Sequence, residues 1–264
     1  MASQTATSAA HRGTEIMQER VWIPGPRGRL CGELAYPAGG AGGAGGACLL
    51  VNPHPLMGGR MDNNIIAYLS LRLAGAGLIA LRFDYGGVGA SDGPAADIAG
   101  SMDAFWATNR APEDPLYVAD ARAAWDWLTA QAVAPLALAG YSFGAWAATR
   151  LAAEAPAPLA PAAVVLVSPT IGRHDFGATA AVACPLMVVH GEGDFATAPG
   201  EFEAWRAGPG RRAHVVAVPG GNHFFRGAES LVGDACAAFL VPTLAALLAP
   251  GADADDVSLE GELA

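Results

Sequence analysis

Residues 136–155 read LALAGYSFGAWAATRLAAEA, and the change of rhythm inside this stretch decides the fold. Leu136 to Gly140 is a short apolar run of the kind found in strands buried on both faces, and the Ala-rich segment from Phe143 onward favours helix. Between them, Gly140-Tyr141-Ser142-Phe143-Gly144 is a G-x-S-x-G motif. Its glycines let the chain turn sharply from strand to helix, which leaves the Ser142 hydroxyl exposed at the carboxyl end of the strand, as a nucleophile requires. The bare pentapeptide would equally suit an ordinary tight turn. The strand-turn-helix context is what makes it specific.

Outward from this stretch the alternation repeats. VWI (21–23), LCGELAY (30–36), CLLVN (48–52), LIALRFD (78–84), VVLVS (164–168), LMVVHG (186–191) and HVVAVPG (214–220) read as further strands. Helices are expected through DNNIIAYLSLRLAGAG (62–77), around VADARAAWDWLTA (118–130) and around DACAAFLVPTLAALLA (234–249). Val118, Ala121, Trp125 and Leu128 form a core-facing stripe at helical spacing. Strands alternating with helices call for an α/β domain: a mostly parallel, eight-stranded sheet flanked by helices. One domain spans 16–250, between a polar N-terminal arm (1–15) and an acidic tail (251–264), both expected to be flexible. The loop AGGAGGAGGA (38–47) contains a formal G-x-G-x-x-G at Gly40, Gly42 and Gly45, but it precedes a strand rather than opening a helix, so it reads as a surface connection.

Composition narrows the function classes. Of 264 residues, 52% are apolar types and 15% are charged, which supplies a large core and excludes whole-chain disorder. Fifteen Lys and Arg against 25 Asp and Glu give a formal charge of −10, the wrong sign for a phosphate-backbone binder. Apolar runs are interrupted by Gly, Pro and charge short of the ~18 residues of a membrane span, and the N-terminus lacks the apolar core of a secretory signal, so a cytoplasmic protein is expected. Cys31, Cys48, Cys184 and Cys236 have no metal-ligand spacing and read as buried apolar side chains; no metal site is indicated.

A serine nucleophile needs a base, and the base needs an orienting carboxylate. Asp194 lies just beyond the strand LMVVHG and His223 just beyond HVVAVPG. His214, the other histidine after Asp194, opens its strand at the opposite edge. Glu192 and Asp175 are the alternative carboxylates. The oxyanion of an acyl intermediate must be met by backbone N–H groups: Phe143, after the nucleophile, and one from NPHPLMGG (52–59), where Pro53 and Pro55 have none. Leu56 is then the expected donor and Met57 the reserve, with His54 shaping the loop by hydrogen bonding. Asp84 and Asp92 read as residues that pin turn amides.

These motifs together resemble the α/β-hydrolase superfamily, in its compact, dienelactone-hydrolase-like bacterial branch: NPHPLMGGRMDNN (52–64), LRFDYGGVGASDG (81–93), GYSFG (140–144), HGEGD (190–194) and GGNHFF (220–225), across about residues 20–245. The resemblance implies an α/β-hydrolase fold and a cofactor-free serine hydrolase acting on esters, thioesters or related acyl compounds. It supports Ser142, Asp194 and His223 as the triad, with Phe143 and Leu56 at the oxyanion. Gly86 departs from the pattern, standing where many relatives carry Arg.

Seventeen residues (169–185) between two strands leave no room for a large cap domain. The connection 94–116, by contrast, is longer than usual and reads as a candidate lid loop, with Met102, Phe105 and Trp106 as pocket residues beside Met57 and Tyr141. The expected function is hydrolysis of a carboxylic ester or thioester of a small or medium apolar acyl substrate through an acyl-enzyme. Acyl transfer or cyclisation by the same residues, and non-catalytic small-molecule binding, are the alternatives. No nucleic-acid or membrane partner is expected, and a homodimer is compatible with the chain.

Overall fold

The computed structural model describes residues 15–39, 45–95, 97–108, 110–131 and 135–248. Almost all of the expected arm, the acidic tail, and Gly40 and Gly42 of the glycine loop lie outside the described residues. The strands are β1 (Ile16–Gly25), β2 (Gly28–Pro37), β3 (Ala47–Val51), β4 (Ile79–Phe83), β5 (Leu136–Tyr141), β6 (Ala163–Val167), β7 (Leu186–Gly193) and β8 (His214–Asn222). They form one eight-stranded sheet in the order β1-β2-β4-β3-β5-β6-β7-β8, in which β2 alone runs against the rest.

Strand periodicity divides the core into two layers. Leu49, Val51, Leu138, Val164, Leu166 and Val188 point to one face, where α3 (Asp114–Gln131) and α4 (Phe143–Glu154) cover them. Cys48, Leu50, Ala139, Val165, Val167 and Val189 point to the other, under α1 (Asn64–Gly75) and α6 (Glu229–Ala246). Since both faces are covered, the central strands are apolar at every position. The stripe on α3 behaves as its spacing requires: Ala121, Trp125 and Leu128 are buried and Val118 packs at the margin. The four cysteines are free thiols; burial pushes Cys236 up to about 12 and Cys184 to about 11, away from reactivity.

Two expectations are corrected and one helix is added. Residues 94–116 are not an irregular loop: they contain α2 (Ile98–Thr108) and the first turn of α3, tied together by Ser101 Oγ donating to Glu113 at 2.6 Å. Gly100 and the flanking prolines hide this helix from periodicity. A helix also stands between β7 and β8, α5 (Pro199–Ala207), which buries Phe202 and Trp205. Finally, α6 does reach the length and apolar composition of a membrane span; in the fold it lays Val232, Cys236, Leu240 and Leu244 against the sheet. No cap domain interrupts β6 and β7, whose connection holds one short 3-10 turn, Gly177–Ala181.

Candidate active site

The turn at Ser142 is as tight as its glycines imply. Ser142 has φ 58°, in the left-handed region, and its amide donates to the Val167 carbonyl at 2.9 Å. A Cβ on Gly140 would run into the carbonyl of Gly144, and one on Gly144 into the carbonyl of Val51, so larger residues cannot make the crossing. The hydroxyl is thereby held at the carboxyl edge of the sheet, where α/β proteins bind ligands.

Ends of β7 and β8 bring the partners. His223 Nε2 lies 3.0 Å from Ser142 Oγ, and His223 Nδ1 lies 2.9 and 3.1 Å from the two Asp194 oxygens. A register shift between Gly191 and Gly193 re-aims the chain just before Asp194. The carboxylate also accepts from Ser168 Oγ at 2.6 Å and from the Ala196 amide at 2.8 Å. Burial pushes Asp194 up, but the His223 bond and charge, the Ser168 hydroxyl and the Ala196 amide together outweigh it and hold the carboxyl below its ordinary range. An ionised carboxylate facing Nδ1 keeps the proton on that nitrogen and leaves Nε2 to face the hydroxyl. The alternatives fall elsewhere: Glu192 takes the Gly220 amide, Asp175 takes the Gly177 amide, and His214 is exposed at the far end of β8.

Four of the five expected pocket residues line a cavity of about 360 Å³ that opens over Ser142: Met57, Phe105, Trp106 and Tyr141. Met102 is not among them; it sits one helical turn, about 5.4 Å, back along α2 from Phe105 and Trp106. Tyr141 contributes ring and not hydroxyl, because its O–H donates to the His223 carbonyl at 2.7 Å. Sequence reasoning missed Phe195 and Phe224, each following a relay residue, and Arg173 and Arg226, all of which line the cavity. Position next to Asp194 and His223 was the signal available for the two aromatics. A larger cavity, of about 620 Å³, lies across His174 and is lined by Trp146 and Arg150 rather than by the relay.

The expected oxyanion donors stand in different states. Phe143 opens α4, where first-turn amides have no partner within the helix. The Leu56 amide, expected to be available, instead donates to His54 Nδ1 at 3.1 Å, and the Met57 amide to the His54 carbonyl at 2.9 Å. Pro55 sets a 3-10 turn over Pro55–Met57 with His54 as its cap, and both amides turn back onto His54. His54 thus shapes the loop, as expected. Among the described residues no group of three His, Cys, Asp or Glu side chains could hold a metal ion.

The fold and the relay agree with what the chain resembles in other organisms. Residues 57–183 match the family model of serine aminopeptidase, S33. An alpha-beta serine hydrolase homologue from Coxiella burnetii superposes with a TM-score of 0.70 at 26% identity, over 84% of this chain and 97% of that one. The chain has the α/β-hydrolase fold and is similar to the α/β serine hydrolases. A serine hydrolase from Xanthomonas campestris, described as lacking a lid, shares the fold with a TM-score of 0.68 at 23% identity, over 89% of this chain and 97% of the other. An uncharacterized protein of Rickettsia prowazekii is 28% identical over 215 residues, covering 78% of this chain and 82% of its own.

Proposed function

We propose that this hydrolase cleaves a carboxylic ester or thioester with a small or medium apolar acyl group, through an acyl-enzyme on Ser142. The observation that carries the reading is the continuous relay Ser142 Oγ, His223 and Asp194 at 3.0 and 2.9 Å, opening on a cavity with an aromatic rim. His223 Nε2 takes the hydroxyl proton as Oγ bonds to the acyl carbon, and the carbonyl electron pair moves onto oxygen. The Phe143 and Leu56 amides meet that oxyanion. When the intermediate collapses, the leaving alcohol or thiol departs with the proton from His223. Water then enters and gives its proton to the same nitrogen as its oxygen bonds to the acyl carbon; when this second intermediate collapses, Ser142 Oγ takes the proton back from His223 and the acid is released. Asp194 holds the ring and stays ionised throughout.

The apolar character of the acyl group is supported by Phe105, Trp106, Phe195 and Phe224 around the cavity, with α2 acting as a short lid. The test is turnover of p-nitrophenyl esters and acyl-CoAs of graded chain length, with a serine-directed fluorophosphonate label read by mass spectrometry. Wild type is expected to turn over esters and to be labelled on Ser142, while Ser142→Ala loses both and keeps its melting temperature. Wild-type rates in Ser142→Ala would overturn the covalent route. Acylated acceptor or cyclic product in place of free acid would move the reading to acyl transfer.

A further inference from the structure

The loop after β3 carries a second His–Asp pair that the proposed relay does not use. His54 is 5% exposed; its Nε2 lies 2.9 Å from Asp114 Oδ1, and its Nδ1 accepts the Leu56 amide at 3.1 Å. Because Nδ1 accepts an N–H, the ring proton resides on Nε2 and goes to Asp114. Asp114 stands in the first turn of α3, and its second oxygen takes the Ala111 amide at 3.3 Å. Both nitrogens of His54 are therefore committed, which removes it as a rival base for Ser142.

The same ring reaches the other expected oxyanion donor. Its edge packs on Phe143 with centroids 4.8 Å apart and planes at 82°, and on Tyr117 at 5.2 Å and 84°. One imidazole thus holds Leu56 by a hydrogen bond and Phe143 by packing, and α3 anchors it. Leu56 lies between His54 and Met57, both of which line the cavity over Ser142. The remaining loop amides close on the loop itself, Met57 and Gly59 to the His54 carbonyl and Gly58 to the Pro55 carbonyl. Within that turn the Leu56 N–H is held by His54 Nδ1.

We propose that His54, oriented by Asp114, is the positioning residue of the oxyanion hole: its Nδ1 holds the Leu56 N–H between the lining residues His54 and Met57 and shares it with the substrate's carbonyl oxygen as charge develops there. This rests on the acyl-enzyme reading above. Sharing is chemically ordinary, since one N–H often serves two acceptors, and a charged oxygen forms a hydrogen bond roughly twice as strong as a neutral acceptor does. The neutral ring satisfies the amide until the oxyanion competes for it.

His54→Leu removes the acceptor, and His54→Asn keeps one, because the asparagine Oδ1 can occupy the position of Nδ1. The expected result for His54→Leu is a kcat lowered by about 10- to 100-fold with KM changed less than about twofold, because an oxyanion donor acts on the transition state and not on ground-state binding. Affinity for an alkyl boronic acid, whose oxygen enters the oxyanion hole when boron bonds to Ser142, falls by the same factor. His54→Asn recovers kcat to within about threefold of wild type, and Asp114→Ala, which leaves the loop sequence intact and frees the ring to turn, gives an intermediate loss. If His54→Leu fails to fold, Asp114→Ala and the boronic acid carry the test. A His54→Leu variant with wild-type or higher kcat, an unmoved boronic acid affinity, or a His54→Asn variant as impaired as the leucine one overturns the proposal. Those outcomes in an active, Ser142-labelled wild type strike this proposal alone, whereas an unlabelled, inactive wild type strikes the function reading.

Discussion

Ser168 shows how much of the relay's support is invisible to motif reasoning. It sits just after β6 with φ 43°, is fully buried, and gives its hydroxyl to Asp194 at 2.6 Å. Ser168→Ala leaves a buried carboxylate one donor short, so Asp194 becomes less acidic and the protein loses about 1.5–3 kcal/mol, the usual range for a hydrogen bond to a charged group. Kcat/KM is expected to fall about tenfold, a fraction of the roughly 10²–10⁴-fold that a positioned general base contributes, and urea unfolding checks the stability loss. His174 makes a different prediction. Burial drives its imidazole down to about 4, against the opposing charge of Asp114. The unfolded chain therefore takes up a proton that the folded one refuses as pH drops from about 6.5 toward 4, and stability is lost over that window. His174→Gln should lose less stability than wild type between pH 7.5 and pH 5, measured by urea midpoints; equal losses would place the acid sensitivity elsewhere.

At the scale of elements, α2 and the docking of α3 carry the consequences. Trp106 is 69% exposed on α2 and touches Phe105 at 5.5 Å between centroids, so it projects over the cavity rather than into the core. Burying acyl methylenes against it is worth about 0.8 kcal/mol each. Trp106→Ala should raise KM more for long acyl esters than for acetate, with little change in melting temperature. An equal effect on all chain lengths would make the residue an anchor and not a lid. The position of Gly86 has a structural answer as well. A guanidinium does occupy the space beside it, but it comes from Arg27 in the turn between β1 and β2: a Cβ on Gly86 would meet Arg27 Nη2 at 3.0 Å. Arg27 Nη2 pairs at 2.7 Å with fully buried Asp120, which also takes the Gly86 amide at 2.9 Å. Burial already pushes Asp120 up, and the Gly86 amide and Arg27 are what oppose it. Arg27→Met strands that carboxylate and should cost about 3 kcal/mol in urea unfolding, with α3 and hence Asp114 loosened.

For the whole molecule, the proposed chemistry draws on three side chains and two backbone amides and on no added group. Ester turnover is accordingly expected to be unchanged by EDTA, and chelator-sensitive activity restored by Zn²⁺ would contradict it. How far this could be read in advance follows from range. Strand and helix periods are local, so the eight strands, the buried stripe of α3 and the elbow at Ser142 were legible in the residues themselves, as was the order of Ser142, Asp194 and His223 along the chain. Helices α2 and α5 were not, because Gly100 and Gly200 blur a pattern that tertiary packing of Phe105, Phe202 and Trp205 completes.

The sequence by itself determined which groups exist and which edge of the sheet they reach, since strand direction and turn chemistry place Ser142, Asp194 and His223 at carboxyl ends. Only the tertiary structure decided what those groups touch. Ser168 meets Asp194 across 26 residues, His54 meets Asp114 across 60 and Arg27 meets Asp120 across 93. The fate of the Leu56 amide was decided in the same way, by an imidazole whose orientation α3 sets. Such pairings depend on how helices seat against the sheet, and side-chain packing over those separations leaves no periodic trace in the chain.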